Sequence, residues 1–402
     1  MEVSPGIFVK NKVFGSVFGD SCCTLLQSIR LSPLMSLPES TDLMPKSFIF
    51  PLKSVSTNAR APSPSLAFAP GAVTRKPLAL LDHNEARPTG HPHRAKKILF
   101  IANTRLGDAV LTTGLLTKVL ERYWPCDVTI ACGPTPAPLF AAVPGLERII
   151  LMDKKEKGME WLRLWKYAAQ FYWDLIIDVR NSFVSYLVFR RKVFRYTKMN
   201  KTEHKCAQLT KVMKLAEVPY NHIWVPDNVQ QRARELLPEG APILALCPTS
   251  GWGHKSWPVD RFIELAQRLP FKRVAVCAAE HERERIMPII AGLREKLEVI
   301  DLAKTNPLEA AACLALCSIC VSNDSGLMHV SAAVGTPTLG IFGPTSDVVY
   351  GPHGPLTAII RGAPYQQKMP DPARLMGAVS VDSVVDAVKK LMDRQKSACS
   401  VA

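Results

Sequence analysis

The chain has 402 residues and a formal net charge of +15 at pH 7, and its length is enough for two domains of ordinary size. The positive charge favours an anionic partner, such as a phosphorylated substrate or a membrane surface, but the lack of basic runs and of nucleic-acid-binding signatures argues against nucleic acid. No apolar run reaches the length of a membrane span and no secretory signal is evident, so we expect the 11 cysteines to be reduced in a cytoplasm.

Residues 1–95 differ from the rest of the chain. They are rich in proline, serine and alanine and follow neither the alternation of a strand nor the period of a helix. We therefore expect a disordered or loosely ordered extension over this segment. A linker, or a start codon placed too early, would explain the same composition.

Residues 96–226 alternate between apolar strands and amphipathic helices. The sequence predicts strands at 96–102, 128–131, 148–151 and 174–178, and helices at 109–122, 139–143 and 157–171. Strands that alternate with helices are typical of a parallel, doubly wound sheet. This segment is therefore predicted to be an N-terminal, Rossmann-like α/β domain.

The same alternation restarts at residue 240, after a connecting helix over 227–237. Strands are predicted at 243–248, 273–277, 299–302, 319–321 and 338–342, and helices at 259–268, 282–293, 310–317, 327–334 and 381–396. Residues 240–375 are therefore predicted to form a second Rossmann-like domain. Ligands of such sheets bind beyond the carboxyl ends of the strands, here in the cleft between the two domains.

The chain lacks the usual signatures of several cofactor sites. Cys313, Cys317 and Cys320 have a spacing that could suggest an iron–sulfur cluster, but the first two fall in an apolar helix and the third in a strand, so we expect them to pack as small hydrophobic side chains. There is no P-loop, no early G-x-G-x-x-G and no cluster with metal-ligand spacing. We expect no metal and no cofactor.

The turn that follows the strand at 319–321 has the composition of a phosphate site. Asp324 and Ser325 are residues that cap helix N-termini, and Gly326 lets a ligand approach the backbone. The first backbone amides of the next helix, over 325–328, together with its dipole would attract an anion. An ordinary capped turn without a ligand is the alternative.

Polar side chains at other strand ends can complete such a site. Asp108 is either a helix cap or a general base for an incoming hydroxyl. Thr249, Ser250 and Lys255 follow the strand at 243–248, where two hydroxyls and an ammonium suit a diphosphate. Glu282 holds ribose hydroxyls or only complements a helix dipole.

Taken together, these residues resemble glycosyltransferase family 9, the bacterial ADP-heptose:lipopolysaccharide heptosyltransferases and their relatives. The resemblance spans about residues 96–395. It rests on the stretch 97–108 with its Leu-Gly-Asp turn, on Lys255-Ser256-Trp257-Pro258, and on Asn323-Asp324-Ser325-Gly326-Leu327-Met328-His329, which Gly335-x-Pro337 and Phe342-Gly343-Pro344-Thr345 follow. It implies a GT-B fold, two Rossmann-like domains that face a central cleft, and an inverting, metal-independent transfer from a nucleotide-diphosphate sugar.

The resemblance also implies roles for single residues. Asp108 matches the catalytic base, and Lys255 matches the lysine that contacts the donor phosphates. The predicted donor site consists of Thr249, Ser250, Lys255, Glu282, Asp324, Ser325, Gly326, Leu327, Met328 and His329. Glu282 departs from the family pattern, because Ala278-Ala279 stands where the family has two glycines. The last helix, over 380–396, is implied to cross back and pack on the first domain.

The acceptor side is predicted from position alone, since Arg105, Arg180 and Asn181 stand at strand ends of the first domain. The resemblance implies transfer of heptose from ADP-heptose to an anionic glycolipid of the lipopolysaccharide core or a related surface glycan, by an enzyme attached peripherally to the inner face of the inner membrane. Three alternatives stay open: another nucleotide-sugar donor, a non-catalytic relative that binds nucleotide sugar, and an epimerase of the same fold.

Overall fold

The computed structural model describes residues 94–154, 158–197, 200, 202–251, 255–365 and 371–401. The extension predicted over residues 1–95 lies almost wholly outside this part of the chain. Within it the chain forms two parallel β-sheets, each flanked by helices, as the alternation of strands and helices predicted.

The first sheet has five strands in the order β3-β2-β1-β4-β5. Its strands are β1 (Lys96–Ile101), β2 (Cys126–Cys132), β3 (Leu146–Leu151), β4 (Trp173–Asp178) and β5 (Arg190–Arg195). Its helices are α1 (Leu106–Val110), α2 (Thr113–Tyr123), α3 (Met159–Ala168), α4 (Val184–Leu187) and α5 (Lys205–Met213), with a short 3-10 turn at Ala137–Phe140. The central strand β1 is fully buried from Ile98 to Ile101, because helices cover both faces of a parallel sheet.

The helix predicted over 109–122 is divided into α1 and α2. The hydroxyl of Thr112 donates to the carbonyl oxygen of Ala109 at 2.6 Å, and that of Thr113 donates to Val110 at 2.8 Å. Threonine hydroxyls that hydrogen-bond to backbone carbonyls compete with a continuous helix. The break between α1 and α2 lies at these two threonines. As a result α1 is a separate short helix that begins directly at the Leu-Gly-Asp turn.

The second sheet has six strands in the order β11-β10-β9-β6-β7-β8. Its strands are β6 (Ile243–Cys247), β7 (Arg273–Val276), β8 (Glu298–Asp301), β9 (Ile319–Asn323), β10 (Thr338–Phe342) and β11 (Thr357–Arg361). The helices are α6 (Asp227–Leu236), α7 (Val259–Arg268), α8 (Arg283–Leu293), α9 (Pro307–Ala315), α10 (Gly326–Ala333), α11 (Asp347–Tyr350), α12 (Pro372–Gly377) and α13 (Val381–Val401), and a 3-10 turn at Glu280–Glu282 precedes α8.

The final helix does not pack where the resemblance implied. Its apolar stripe, which includes Val384, Val388 and Leu391, lies in the core of the second sheet beside α7. Arg268 on α7 also donates to Asp382 at 2.5 Å. The implied packing of 380–396 on the first domain is therefore wrong for the described residues, because this stripe is covered by the second sheet's own elements.

The cysteines behave as the sequence indicated. Cys313 and Cys317 are buried on α9, and Cys320 is buried in β9 with its sulfur 3.7 Å from that of Cys247. The eight cysteines between Cys126 and Cys320 are free thiols. None of the helices that the structure describes is both long and apolar enough to cross a membrane.

Each sheet has one point at which the order of its strands reverses. The reversal falls between β1 and β4 in the first sheet, and between β6 and β9 in the second. Loops that leave the carboxyl ends of strands at such a point form a crevice. The loops after these four strands carry most of the residues that the sequence singled out.

Candidate functional site

The turn between β9 and α10 presents a helix N-terminus. Ser325 is the N-cap residue in an extended conformation, yet within the described part of the chain no side chain caps the first amides of α10. The expectation that Asp324 and Ser325 cap this helix is therefore wrong, and the amides are left to face the loop. Free amides and the positive end of the dipole are what an anion requires.

Asn323 ties this turn to the loop after β6. Its side-chain oxygen accepts a hydrogen bond from the amide of Trp257 at 3.1 Å, and its side-chain nitrogen donates to the carbonyl of Pro248 at 2.6 Å. The residue is fully buried, so both bonds are shielded from water. Pro248 and Trp257 are thereby held beside the start of α10.

Asp324 holds a cation next to the same amides. Its carboxylate accepts from the ammonium of Lys255 at 2.9 Å and from the hydroxyl of Thr345 at 2.6 Å. All three side chains are at least half-buried, and the pair is partly shielded from solvent. Thr345 stands in the Phe-Gly-Pro-Thr stretch but was not among the predicted site residues. The structure adds it as the group that orients Asp324.

Asp108 lies in the first turn of α1 but does not cap it. Arg105 is the N-cap residue, and the Asp108 carboxylate accepts no hydrogen bond from the residues that the structure describes. Burial raises the pKa of Asp108; the charges of Lys205 and Arg105 oppose this rise, and that of Asp324 adds to it. A half-buried carboxylate with a raised pKa has the properties of a general base.

Lys205 is a buried cation beside Asp108 that the sequence did not reveal. It is the first residue of α5, and its ammonium lies 3.8 Å from the centroid of the Tyr196 ring. Burial lowers the pKa of Lys205, and the carboxylate of Asp108 opposes that change. A lysine on a helix about a hundred residues away carries no sequence signal of such a pairing, so only the fold could identify it.

The first turns of α1 and α10 are in close contact at two glycines, which have no side chains to separate them. A Cβ on Gly107 would lie 2.8 Å from Cδ2 of His329 and 3.4 Å from Cα of Gly326. A Cβ on Gly326 would lie 2.9 Å from Cβ of Leu106. This close approach brings the loop of Asp108 from the first sheet against the loop of Asp324 from the second.

His329 packs beneath this contact as a neutral side chain. It is buried, and its Nδ1 atom forms no hydrogen bond to any described residue. Desolvation lowers its pKa to about 4. Met328 is also fully buried, with its sulfur 2.7 Å from where a Cβ of Gly340 would lie, and Leu327 packs against the core.

The remaining predicted donor residues lie beside β6 and β7. Thr249 and Ser250 are buried directly after β6. The guanidinium of Arg285 donates to the Ser250 carbonyl at 3.1 Å and to the Glu282 carboxylate at 2.8 Å. A third bond at 3.2 Å reaches the hydroxyl of Ser256. Arg285 therefore holds Glu282 beside Ser250 and Ser256, a pairing that the helical spacing of three residues between Glu282 and Arg285 could have suggested.

The predicted acceptor residues lie on two neighbouring loops of the first sheet. Arg105 is exposed at the start of α1, after β1. Arg180 follows β4, and its guanidinium lies 4.7 Å from the centroid of the Trp161 ring. Asn181 adopts a left-handed conformation with φ 50° and accepts from the Tyr186 hydroxyl at 2.9 Å. Both loops open at the same edge of the sheet as Asp108.

The described residues include one group with the chemistry of metal ligands. The ligand atoms of His204, Cys206 and His353 lie within 4.8 Å of one another. Both ring nitrogens of His204 already have backbone partners, the amide of Cys206 and the carbonyl of Gly351 at 2.9 Å. Nε2 of His353 bonds the carbonyl of Pro219 at 3.2 Å. We interpret the group as a set of hydrogen bonds between the two halves of the molecule.

Comparison with known proteins agrees with the resemblance. Residues 209–374 match the family model described as glycosyltransferase family 9 (heptosyltransferase). Lipooligosaccharide heptosyltransferase 2 of Haemophilus ducreyi is 27% identical over 308 residues, which cover 66% of this chain and 88% of that protein. Lipopolysaccharide heptosyltransferase 2 of Escherichia coli K12 is 25% identical over 305 residues, with 66% and 88% covered.

Solved structures show the same fold. A family 9 glycosyltransferase from Veillonella parvula superposes with a TM-score of 0.64 at 22% identity and covers 74% of this chain and 98% of its own. The ADP-heptose lipopolysaccharide heptosyltransferase II of E. coli superposes with a TM-score of 0.60 at 19% identity, with 75% and 99% covered. The predicted GT-B arrangement of two Rossmann-like domains is therefore confirmed.

Proposed function

The chain is a glycosyltransferase of the family 9 type, and from this premise we propose that it moves heptose from ADP-heptose to an anionic glycolipid acceptor of the lipopolysaccharide core, with inversion and without a metal ion. One observation carries the proposal. The contact of Gly107 with Gly326 sets a half-buried carboxylate, Asp108, opposite a helix N-terminus that is flanked by Lys255.

The donor diphosphate binds at the start of α10. The uncapped amides after Ser325 and the ammonium of Lys255 face one loop, and the buried hydroxyls of Thr249 and Ser250 lie after the adjacent strand. Fixed positive groups in a partly desolvated site stabilise the charge that develops on a departing diphosphate. In this proposal these groups stabilise the diphosphate charge that a bound metal cation stabilises in other enzymes, so no metal ion is required.

The sugar is transferred in one displacement. Asp108 accepts the proton of the acceptor hydroxyl, whose oxygen forms a bond to the anomeric carbon. The bond from that carbon to the phosphate oxygen breaks, and its electron pair leaves with ADP. Attack from the face opposite the diphosphate inverts the anomeric configuration. His329, being neutral beneath the contact, adds no competing charge.

The nucleoside and the acceptor occupy opposite sides of this centre. Glu282, which Arg285 fixes beside Ser250 and Ser256, is our proposed partner of the ribose hydroxyls. Arg105, Arg180 and Asn181 are the proposed contacts of the acceptor's phosphates or carboxylates, because they lie on first-sheet loops at the edge that carries Asp108. An acceptor of this kind places the enzyme peripherally on the inner face of the inner membrane.

Transfer by the purified protein tests the proposal. ADP-heptose, ADP-glucose and UDP-sugars are each offered with Kdo–lipid A acceptors, with and without EDTA. We expect turnover with ADP-heptose that survives EDTA, gives the inverted anomer by NMR, and is abolished in Asp108→Ala. Asp386→Asn, which removes an exposed carboxylate on α13, serves as the matched control and keeps full activity.

Other outcomes separate the alternatives. Turnover with a different nucleotide sugar keeps the mechanism and changes the donor. Binding of nucleotide sugars without turnover on any acceptor supports the non-catalytic relative, and interconversion of free nucleotide sugars supports the epimerase. Retention of the anomeric configuration, or loss of activity in EDTA, contradicts the proposed mechanism.

A further inference from the structure

The segment after β4 exposes four large apolar side chains within seven residues. Phe183, Tyr186, Leu187 and Phe189, here called the α4 patch, have relative exposures of 48%, 52%, 63% and 74%. The first three stand at i, i+3 and i+4 and therefore share one face of α4. Single exposed apolar side chains are ordinary, but a contiguous group of this size marks an interaction surface.

The exposed charges beside this patch are positive, whereas the nearby carboxylates of Asp178 and Glu160 are buried. The sequence from Val179 to Thr202 contains seven Lys and Arg residues and no Asp or Glu. Arg191 and Lys192 are exposed on β5, an edge strand of the first sheet. The guanidinium of Arg195 lies 3.7 Å from the centroid of the Tyr186 ring, and that of Arg190 donates to the Val188 carbonyl at 2.8 Å. The apolar side chains are thus bordered by cations.

The patch is continuous with the loop that we propose for the acceptor. The Tyr186 hydroxyl donates to the side chain of Asn181. The ring of Phe183 lies 6.3 Å from that of Trp161, on which Arg180 is stacked. A surface that begins at Arg180 and ends at Phe189 therefore runs outward from the mouth of the site.

We propose that the α4 patch docks the protein on the surface of an anionic lipid bilayer. Tyr and Phe side chains favour the interface between headgroups and acyl chains, and cations near it are attracted to lipid phosphates. A protein partner would normally be matched by charges of both signs, whereas the exposed charges of this border are all positive. The inference rests on the proposed function in one respect, that a lipid-anchored acceptor would then reach the cleft from the membrane.

Vesicle sedimentation tests the docking without donor or acceptor. The full-length protein is mixed with vesicles of phosphatidylcholine alone or with added phosphatidylglycerol, at low and high salt. We expect binding that requires phosphatidylglycerol and weakens with salt. Leu187→Ser with Phe189→Ser, and separately Arg191→Ser with Lys192→Ser, should each lower the partition coefficient about tenfold.

The control variants make the same kinds of substitution at exposed positions outside the α4 patch. Val259→Ser with Ile359→Ser removes two exposed apolar side chains, and Lys389→Ser with Lys390→Ser removes two exposed cations on α13. Both controls should bind like the wild type. Absence of wild-type binding, or equal losses in patch and control variants, overturns the proposal. A patch-dependent dimer in sedimentation equilibrium without vesicle binding assigns the surface to a second copy instead.

A transfer assay separates this proposal from the proposed function. The Leu187→Ser, Phe189→Ser variant should keep its kcat on a lipid-free oligosaccharide acceptor and lose about tenfold in transfer to an acceptor embedded in vesicles. Equal loss on both acceptors contradicts the docking role. If no donor supports transfer but vesicle binding follows the patch, docking stands and the proposed function fails.

Discussion

Gly107 on α1 and Gly326 on α10 approach so closely that a Cβ on the first would lie 3.4 Å from Cα of the second. Because each glycine stands within two residues of an aspartate, Asp108 or Asp324, this contact sets the spacing between the two loops of the site. A side chain at either position would move the loops apart before it disturbed either core.

Gly107→Ala tests this relationship. The new Cβ would lie 2.8 Å from Cδ2 of His329, a buried ring that has little room to move, so α1 must shift. We expect kcat/KM to fall by about two orders of magnitude, because misplacement by about 1 Å has that effect on transfer chemistry. Steady-state kinetics measures the fall. Gly377→Ala, whose Cβ meets nothing within 4 Å, is the control, and equal activity of the two variants would disprove the steric argument.

Replacement of Lys205 should change the pH dependence of transfer. Its charge lowers the pKa of Asp108, which burial raises. A base acts only when deprotonated, so activity declines as the pH falls through the pKa of Asp108. In Lys205→Met that pKa rises further and the acid limb of kcat/KM moves to higher pH, whereas Lys205→Arg should restore it. If kcat/KM falls at every pH while its acid limb stays at the same pH, Lys205 has only a structural role.

Replacement of Lys255 should weaken the stabilisation of the departing diphosphate. The ammonium stands 2.9 Å from Asp324, beside the amides of α10. Lys255→Met is expected to lower kcat by about 10²-fold, as removal of one fixed donor to a developing oxyanion does. Thr345→Val, which only loosens Asp324, should lower it about three- to tenfold. A larger effect of Thr345→Val than of Lys255→Met in the same assay would reverse the assignment.

Acid should destabilise the native protein through His329. Its pKa is about 4 in the folded state against 6.5 ordinarily, so below pH 6.5 the unfolded chain binds the extra proton and the free energy of unfolding falls until pH 4. At pH 4.5 the loss amounts to roughly 2–3 kcal/mol, and above pH 6.5 it vanishes. Urea denaturation of the wild type and of His329→Gln at pH 7 and 4.5 isolates the contribution of His329 to the free energy of unfolding. Parallel pH dependences of the two proteins would contradict it.

Much of the fold was predictable because its signals are local. Apolar runs such as Ile98–Ile101 and Ile243–Cys247 predict buried strands, and the residues between them predict helices. The elements that the sequence did not reveal are α4, α5, β5, α11, β11 and α12. The strand β5 reads Arg-Arg-Lys-Val-Phe-Arg, and an edge strand with this many charges shows no apolar alternation.

The residues of the candidate site likewise divide into those that local sequence predicted and those that it did not. The chemistry of its turns stands in the sequence at Gly107-Asp108 and at Asp324-Ser325-Gly326, because a strand end, a small residue and a polar side chain follow one another there. Lys205 and Thr345 were not predicted, since each reaches the site from another element of the fold. Their roles depend on distances across the fold, which no local pattern encodes.

The sequence by itself determined two parallel α/β sheets and the turns that could hold an anion, because strand and helix preferences and turn chemistry are properties of neighbouring residues. Tertiary structure alone decided that α13 packs on the second sheet, that Asp108 lies beside Lys205 and not at a helix cap, and that His329 is neutral. The physical reason is that burial and long-range charge set those properties, and both arise only when distant segments pack together.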